Sequence, residues 1–244
     1  MHAEWIQPDW PAPARVRAVS TTRAGGVSLG VYASLNLGER VGDEAAAIGE
    51  NRRRLRTTLG LRQEPVWLKQ VHGKQVLQLE AGTGNAAADA ALSRTPGRVC
   101  AVTTADCLPV LFCDRAGTTV AAAHAGWRGL VAGVLEETIG TMGTATAGIL
   151  AWLGPAIGPD KYEVGDEVRD SFLENDPGAG VAFRPTQAGK WLCDLYTLAR
   201  HRLTAAGITH IYGGGLCTHT DRERFFSFRR DGECGRMASL IWLE

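Results

Sequence analysis

The sequence predicts an α+β fold: a mixed β-sheet or sandwich core flanked by helices. Apolar, β-branched segments that read as strands outnumber the helical ones. They do not alternate with helices in the regular way of a doubly wound parallel sheet. No repeat, heptad run or low-complexity linker interrupts the 244 residues, so residues 1–244 are expected to form one domain.

Residues 16–22 read as a strand, followed by a turn at Gly25-Gly26 and an extended stretch over 31–37. Asp43 is placed to cap a helix running to about residue 59, with Ile48, Leu55 and Leu59 on one face and Gly60 as its stop. Residues 66–71 and 75–79 read as strands joined near His72-Gly73, and 99–104 and 110–113 as buried strands. Residues 119–123 form another strand, which runs through His124 into a helix carrying Leu130, Val131, Val134, Leu135 and Ile139 at helical spacing. A strand over 149–153 ends at Gly154-Pro155. Val164, Val168 and Phe172 mark a short helix. Asp194 caps another, with Leu195, Leu198, Ala199 and Leu203 inward and Gly207 closing it. Residues 208–212, 225–228 and 238–243 complete the strands.

The totals narrow the function. Hydrophobic residues make up 45% and charged residues 21%, ordinary for a globular protein with a substantial core. Formal net charge is zero, so no global field draws the chain to nucleic acid or to an anionic membrane. Five arginines fall between Arg222 and Arg236, but Asp221, Glu223, Asp231 and Glu233 are interleaved with them. That is a local site or a solvated face rather than a phosphate-backbone track. Residues 1–10 carry Glu4 and Asp9 and lack the apolar run of a signal peptide. Residues 138–159 are uncharged but hold five glycines, four threonines and two prolines, which argues against a membrane span. None of the six cysteines forms a C-x-x-C pair, and a chain of this size needs no disulfide staples. A cytoplasmic location follows as the expectation.

Three segments carry potential chemistry. Thr103-Thr104-Ala105-Asp106-Cys107-Leu108-Pro109, Ala123-His124-Ala125-Gly126-Trp127-Arg128-Gly129 and Gln70-Val71-His72-Gly73 each put a possible metal ligand near a strand end. A thiolate and two imidazoles from separate strand ends would leave an open fourth position, as catalytic rather than structural zinc requires. Their separations of 35 and 17 residues are not the local spacing of a zinc finger. Taken singly, His72 or His124 reads more readily as a core histidine satisfied by a carbonyl, and Cys107 as a packed thiol.

Arg128 opens a helix whose free N–H groups favour an anion, or it is a plain surface arginine. Arg23 and Asn36 lie in small-residue loops suited to a phosphate or ribose contact, or to simple chain connection. Phe225-Phe226-Ser227-Phe228-Arg229-Arg230 is suited to stacking a base and pairing an anion, or to an edge strand.

The segments TTRAGGVS, YASLNLGERVGD, NRRRL, WLKQVHG, VTTADCLPVLF, AAAHAGWRG, WLGPAIGP, YEVG, CDLYTLAR and FFSFRRDGECGRMASLIWL occur in that order and span nearly the whole chain. They resemble the YfiH family, whose members are variously named laccase-domain protein, polyphenol oxidase, purine nucleoside phosphorylase and peptidoglycan editing factor. The resemblance implies a mixed β core flanked by helices, related to a Cys-His deamidating toxin fold. It implies that His72, Cys107 and His124 bind one zinc ion and form the catalytic centre. It further implies phosphorolysis of purine nucleosides, including methylthioadenosine, and deamination of adenosine. The expected partners are a small purine nucleoside and phosphate, with no nucleic acid or membrane, in a monomer or weak homo-oligomer. Cys234 departs from the family pattern, where threonine is expected.

On that footing Arg23 and Arg229, with Asn36, are expected to hold phosphate. Asp106 and Glu163 are candidates for a general base by motif proximity alone. The deaminase signature H-x-E with P-C-x-x-C is absent. Six histidines are too few for a multicopper oxidase, but two histidines and a cysteine with Met142 or Met237 would resemble a blue-copper site. A metal-free alternative makes Cys107 a nucleophile and His124 its base, acting on an amide such as a UDP-MurNAc-amino acid precursor. A nucleoside-binding protein without turnover is a third class.

Overall fold

The computed structural model describes residues 5–80 and 87–244. The N-terminal reading above thus includes residues 1–4, which lie outside the described residues. A six-stranded mixed sheet is built in the order β11 (His210–Gly213), β7 (Ile149–Leu153), β5 (Leu108–Asp114), β6 (Val120–Ala125), β3 (Ala90–Ser93) and β2 (Val76–Gln78). Its four central strands are antiparallel and its two outer pairs parallel. A second sheet of three antiparallel strands, β1 (Val16–Ser20), β12 (Met237–Leu243) and β4 (Cys100–Thr104), packs on one face of it.

Side-chain alternation explains the packing. Leu111, Cys113, Val120, Ala122, Leu150 and Trp152 of the large sheet meet Cys100, Val102, Ile241 and Leu243 of the small one. The intervening residues, including Val110, Phe112, Ala121, Ala123 and Ala151, face the opposite way. They pack against α3 (Val134–Met142) and α5 (Leu195–Ala205) through Leu135, Ile139, Leu198 and Leu203. Covered on both faces, these strands read as continuous apolar runs. The outer face of the small sheet is covered by α1 (Ala45–Thr58), through Leu55 against Val19, Ala101, Leu240 and Trp242. A third sheet, β8 (Glu163–Gly165), β10 (Lys190–Cys193) and β9 (Phe183–Gln187), sits beside α4 (Asp166–Leu173).

Several expectations are corrected. Asp43 is not the helix cap: its Oδ2 accepts from the Ser28 hydroxyl and the Asn36 amide, and Glu44 takes the cap position without a side-chain bond. Residues 31–37 begin in a 3-10 turn at Gly30–Tyr32 and form no strand. Over 66–71 only isolated bridges form, Val66 to Cys100 and Lys69 to Ala87. The helix after His124 is two helices, α2 (Trp127–Ala132) and α3, because Gly133 between them has φ +90°. Val164 lies in β8, ahead of α4. Residues 225–228 are not a strand: Phe225 and Phe226 are adjacent yet both fully buried, and Ser227 caps α6 (Phe228–Asp231) by accepting from Arg230 N–H. Among the described residues, no helix is long and apolar enough to cross a membrane.

Candidate metal centre and its cleft

Cys107 lies where the chain crosses from the small sheet to the large one, in the Ala105-Asp106-Cys107 link between β4 and β5. Asp106 is held there at φ +94°, a conformation a non-glycine residue rarely adopts. Its side chain fixes the turn: Oδ1 accepts from the Thr218 hydroxyl and Oδ2 from Arg229 N–H, both at 2.6 Å. In β6, His124 pairs with Pro109, and the next residues in register, Ala125 and Leu108, lead to Gly126 beside Cys107. A Cβ on Gly126 would stand 2.9 Å from Cys107 Sγ, so only glycine leaves the thiol its room.

His72 arrives from a loop, also at positive φ, +60°. What holds it is Asp89, fully buried immediately before β3. Asp89 Oδ1 accepts from His72 N–H at 2.9 Å, and Oδ2 from Gly73 N–H at 2.7 Å and Val71 N–H at 3.1 Å. The same carboxylate binds His124 Nδ1 at 2.8 Å, which leaves Nε2 for the centre. The ligand atoms of His72, Cys107 and His124 all lie within 4.8 Å of one another. The three residues joined from distant sequence positions are therefore brought together.

The electrostatics follow from this packing. Burial pushes the Cys107 thiol up, but His124 and His72 outweigh it and hold the thiol down at about 6. Burial pushes His124 down, but Cys107 and Asp89 outweigh it and raise it to about 9. Both shifts favour a thiolate facing an imidazolium. Burial likewise opposes ionisation of Asp89, yet the bonds from His124 and the loop N–H groups hold its carboxyl below the usual range.

The centre opens into a cleft of about 360 Å³ whose lining includes Trp67, Phe228, Glu39, Arg40, Arg52 and Arg236. The other residues expected to contact substrate do not line it. Arg23 donates to the carbonyls of Ala33 and Arg222 and stacks over Phe226. Asn36 is fully buried and spends its amide on Gly38, Asp43 and the Arg236 N–H. Arg128 is exposed and lies over Trp127. Arg229 donates to the Glu163 carbonyl and stacks on Tyr162. Asp106 is occupied in its turn, and Glu163 is exposed outside the cleft. Sequence reasoning missed Asp89, Trp67, Arg52 and Arg236. The signal for Asp89 was present: a lone carboxylate between alanines in a segment otherwise suited to burial.

The family described as multi-copper polyphenol oxidoreductase laccase matches residues 17–244. The chain is 58% identical over 240 residues, 98% of either chain, to purine nucleoside phosphorylase YfiH of Escherichia coli. This chain belongs to the YfiH family. Another relative, purine nucleoside phosphorylase PA4543 of Pseudomonas aeruginosa, is 54% identical over 98% of both chains. Among solved structures, protein NMB0706 of Neisseria meningitidis superposes with a TM-score of 0.95 at 52% identity, covering 98% of this chain and 99% of that one. YlmD of Geobacillus stearothermophilus gives 0.92 at 34% identity, covering 98% and 96%.

The donor set suits one borderline-soft divalent ion: a thiolate and two imidazoles, one of them oriented by a carboxylate. Neither methionine considered for a copper site lines the cleft. Met237 Sδ accepts from Phe226 N–H at 3.1 Å, and Met142 is buried at the end of α3.

Proposed function

We propose that this protein is a zinc-dependent purine nucleoside phosphorylase that also takes methylthioadenosine and deaminates adenosine. One observation carries the reading. His72, Cys107 and His124 converge in a cleft with aromatic and cationic walls, in a chain closely similar to proteins named purine nucleoside phosphorylase.

Trp67 and Phe228 offer the purine apolar faces to stack on. In phosphorolysis a phosphate oxygen attacks C1′ of the ribose and the C1′–N9 bond breaks. The bond pair leaves on the base, which takes a proton, and ribose 1-phosphate remains. Cleft arginines orient the phosphate and offset charge as the bond breaks. Asp89 keeps Nδ1 of His124 bonded, so this imidazole presents only Nε2 to the centre. Zinc, when bound, supplies Lewis acidity and a water of lowered pKa. Deamination replaces the C6 amino group by a water oxygen and releases ammonia.

A second reading is favoured by the thiolate–imidazolium pair with its buried carboxylate, the arrangement of a cysteine hydrolase. In it, without metal, the Cys107 sulfur bonds to the amide carbonyl of a peptidoglycan precursor, the C–N bond breaks and the amine leaves with a proton from His124. Water then hydrolyses the thioester to free the thiol. All six cysteines are free, in keeping with a reducing cytoplasm. The protein acts in this reading as one domain, a monomer or weak homo-oligomer.

Product analysis tests the choice. Protein of known metal content is given adenosine or inosine, with and without phosphate, beside His72→Ala. Free base that requires phosphate and disappears in the variant is expected. Equal turnover by the variant would remove the metal centre from the mechanism. Activity that survives chelation but not alkylation would favour the hydrolase.

A further inference from the structure

Arg52 and Arg236 come from opposite ends of the sequence, yet both are fastened to one dipeptide, Leu37-Gly38. Arg52 donates Nη2 and Nε to the Leu37 carbonyl, at 3.1 and 3.3 Å, and lies flat on Trp67 at 4.3 Å. Arg236 accepts at its own carbonyl from Leu37 N–H, at 3.1 Å, and its N–H donates to Asn36 Oδ1 at 2.9 Å. Its stem crosses Gly38 so closely that a Cβ there would stand 2.6 Å from Arg236 Cγ. Its Nη1 is fixed on the carbonyls of Cys234 and Gly235. Both side chains line the cleft that holds His72, Cys107 and His124.

Arg52 and Arg236 line the cleft together with one glutamate, Glu39. That glutamate reaches Arg52 Nη1 only at 3.8 Å and is itself 66% exposed, whereas the Arg52 side chain is 17% exposed. A largely buried guanidinium whose nearby carboxylates, Glu39 and Glu64, are both solvent-exposed gains more from a dehydrated anion than a surface arginine does. Planar forks held in place on backbone carbonyls also lose little entropy on meeting tetrahedral oxygens.

We infer that Arg52 and Arg236, set on Leu37-Gly38 and braced by Asn36, form the phosphate subsite of the cleft, with Glu39 as the counter-ion that phosphate displaces. This deepens the phosphorylase reading and rests on it for the subsite's use, though not for its existence. Phosphate held here is the group that attacks C1′ in the reaction written above.

Equilibrium titration of the full-length protein with inorganic phosphate tests the subsite without turnover. Arg52→Gln and Arg236→Gln are compared with Arg53→Gln, which removes the same charge one residue away on the exposed side of α1. Weakening of phosphate binding by tenfold or more in the first two, with Arg53→Gln unchanged, is expected. Arg52→Lys, which keeps charge but not the fork, should fall between, and circular dichroism checks that each variant is folded. Equal phosphate affinity in wild type, Arg52→Gln and Arg236→Gln would overturn the assignment, as would no measurable binding to wild type. Loss of phosphate binding in those variants alongside a wild type that releases no base would instead sink the phosphorylase reading and leave the subsite standing.

Discussion

Asp89 Oδ1 lies 2.8 Å from His124 Nδ1, and the same carboxylate takes three backbone N–H groups from the loop that carries His72. One buried side chain therefore sets both the ring orientation of one histidine and the backbone of the other. Asp89→Asn keeps the shape but replaces an acceptor atom by an amide donor aimed at donors. Metal affinity should fall by about 10–100-fold, the usual cost of losing such an outer partner. Metal analysis after dialysis against a graded chelator series measures it, and wild-type affinity in the variant would refute the positioning role.

The same carboxylate makes a prediction for acid. Its folded pKa is depressed, so it contributes stability above the ordinary carboxylate value, and that contribution is lost as pH falls through the folded value. Denaturant melts of wild type and Asp89→Asn should converge as the pH is lowered through the acidic range. A gap that stays constant down to acid unfolding would show that the charge adds nothing.

Thiol reactivity reports the electrostatics of the centre directly. Against burial, His124 and His72 hold the Cys107 thiol down while Cys107 and Asp89 raise His124, so the two groups favour a thiolate–imidazolium pair around neutral pH. In chelator-treated protein, alkylation of Cys107 should rise with a midpoint near pH 6, well below a free thiol at about 8.5. His124→Ala should move that midpoint upward by removing the imidazolium. A mass-spectrometric rate profile from pH 5 to about 9.5 decides it, and a midpoint near the free-thiol value would contradict the pair.

What was legible in the sequence is what obeys a local rule. Apolar runs such as 149–153 and 238–243 are strands because both faces are buried, and Asp194 caps α5 as its spacing implies. The convergence of His72, Cys107 and His124 was expected from the family resemblance of their motifs, and the fold does bring the three side chains together. The place of Arg23 and Asn36 was not legible: their small-residue setting suits a ligand contact as well as chain connection, and in the fold both lie outside the cleft lining with hydrogen bonds made inside the protein. Arg52 is one of three consecutive arginines on α1, and only the fold lays it on Trp67. The short strands β3, β9 and β10 escaped because β3 has only four residues, two of them alanine, and β9 and β10 pair across the Gly189 turn with little apolar alternation. Asp89 escaped because its partners are brought in from 17 and 35 residues away.

Asp194 supplies a stability prediction separate from the centre. Its carboxylate accepts from Tyr196 N–H and Thr197 N–H at the start of α5. Asp194→Ala should cost about 1 kcal/mol, with a range of about 0.5–2, and lower the melting temperature by a few degrees. Metal content should be unchanged, since α5 supplies no residue to the cleft lining. Metal loss in a folded Asp194→Ala protein would mean that α5 couples to the centre.

Gly126 gives the sharpest separation of site from scaffold. Its backbone, at φ −65° and ψ 164°, is open to any residue, so alanine brings no conformational strain. The added methyl would nevertheless stand 2.9 Å from Cys107 Sγ, closer than carbon and sulfur pack, while meeting His72 Cδ2 in ordinary contact at 3.4 Å. Cys107 must then rotate or the β6–α2 junction must move. Because the crowded atom is the side chain that donates sulfur, the easier response is for Sγ to turn away from the two imidazoles. Gly126→Ala should therefore remain folded, with a loss of about 1–3 kcal/mol for overpacking, while bound metal falls well below one equivalent. Gly129→Ala, whose Cβ would meet backbone oxygens of Gly73 and His124 at 3.3 Å, is the companion variant: it presses on the same wall without touching the thiol. Full metal occupancy in Gly126→Ala would show that Cys107 Sγ does not need the space that glycine leaves, and would remove it from the ligand set.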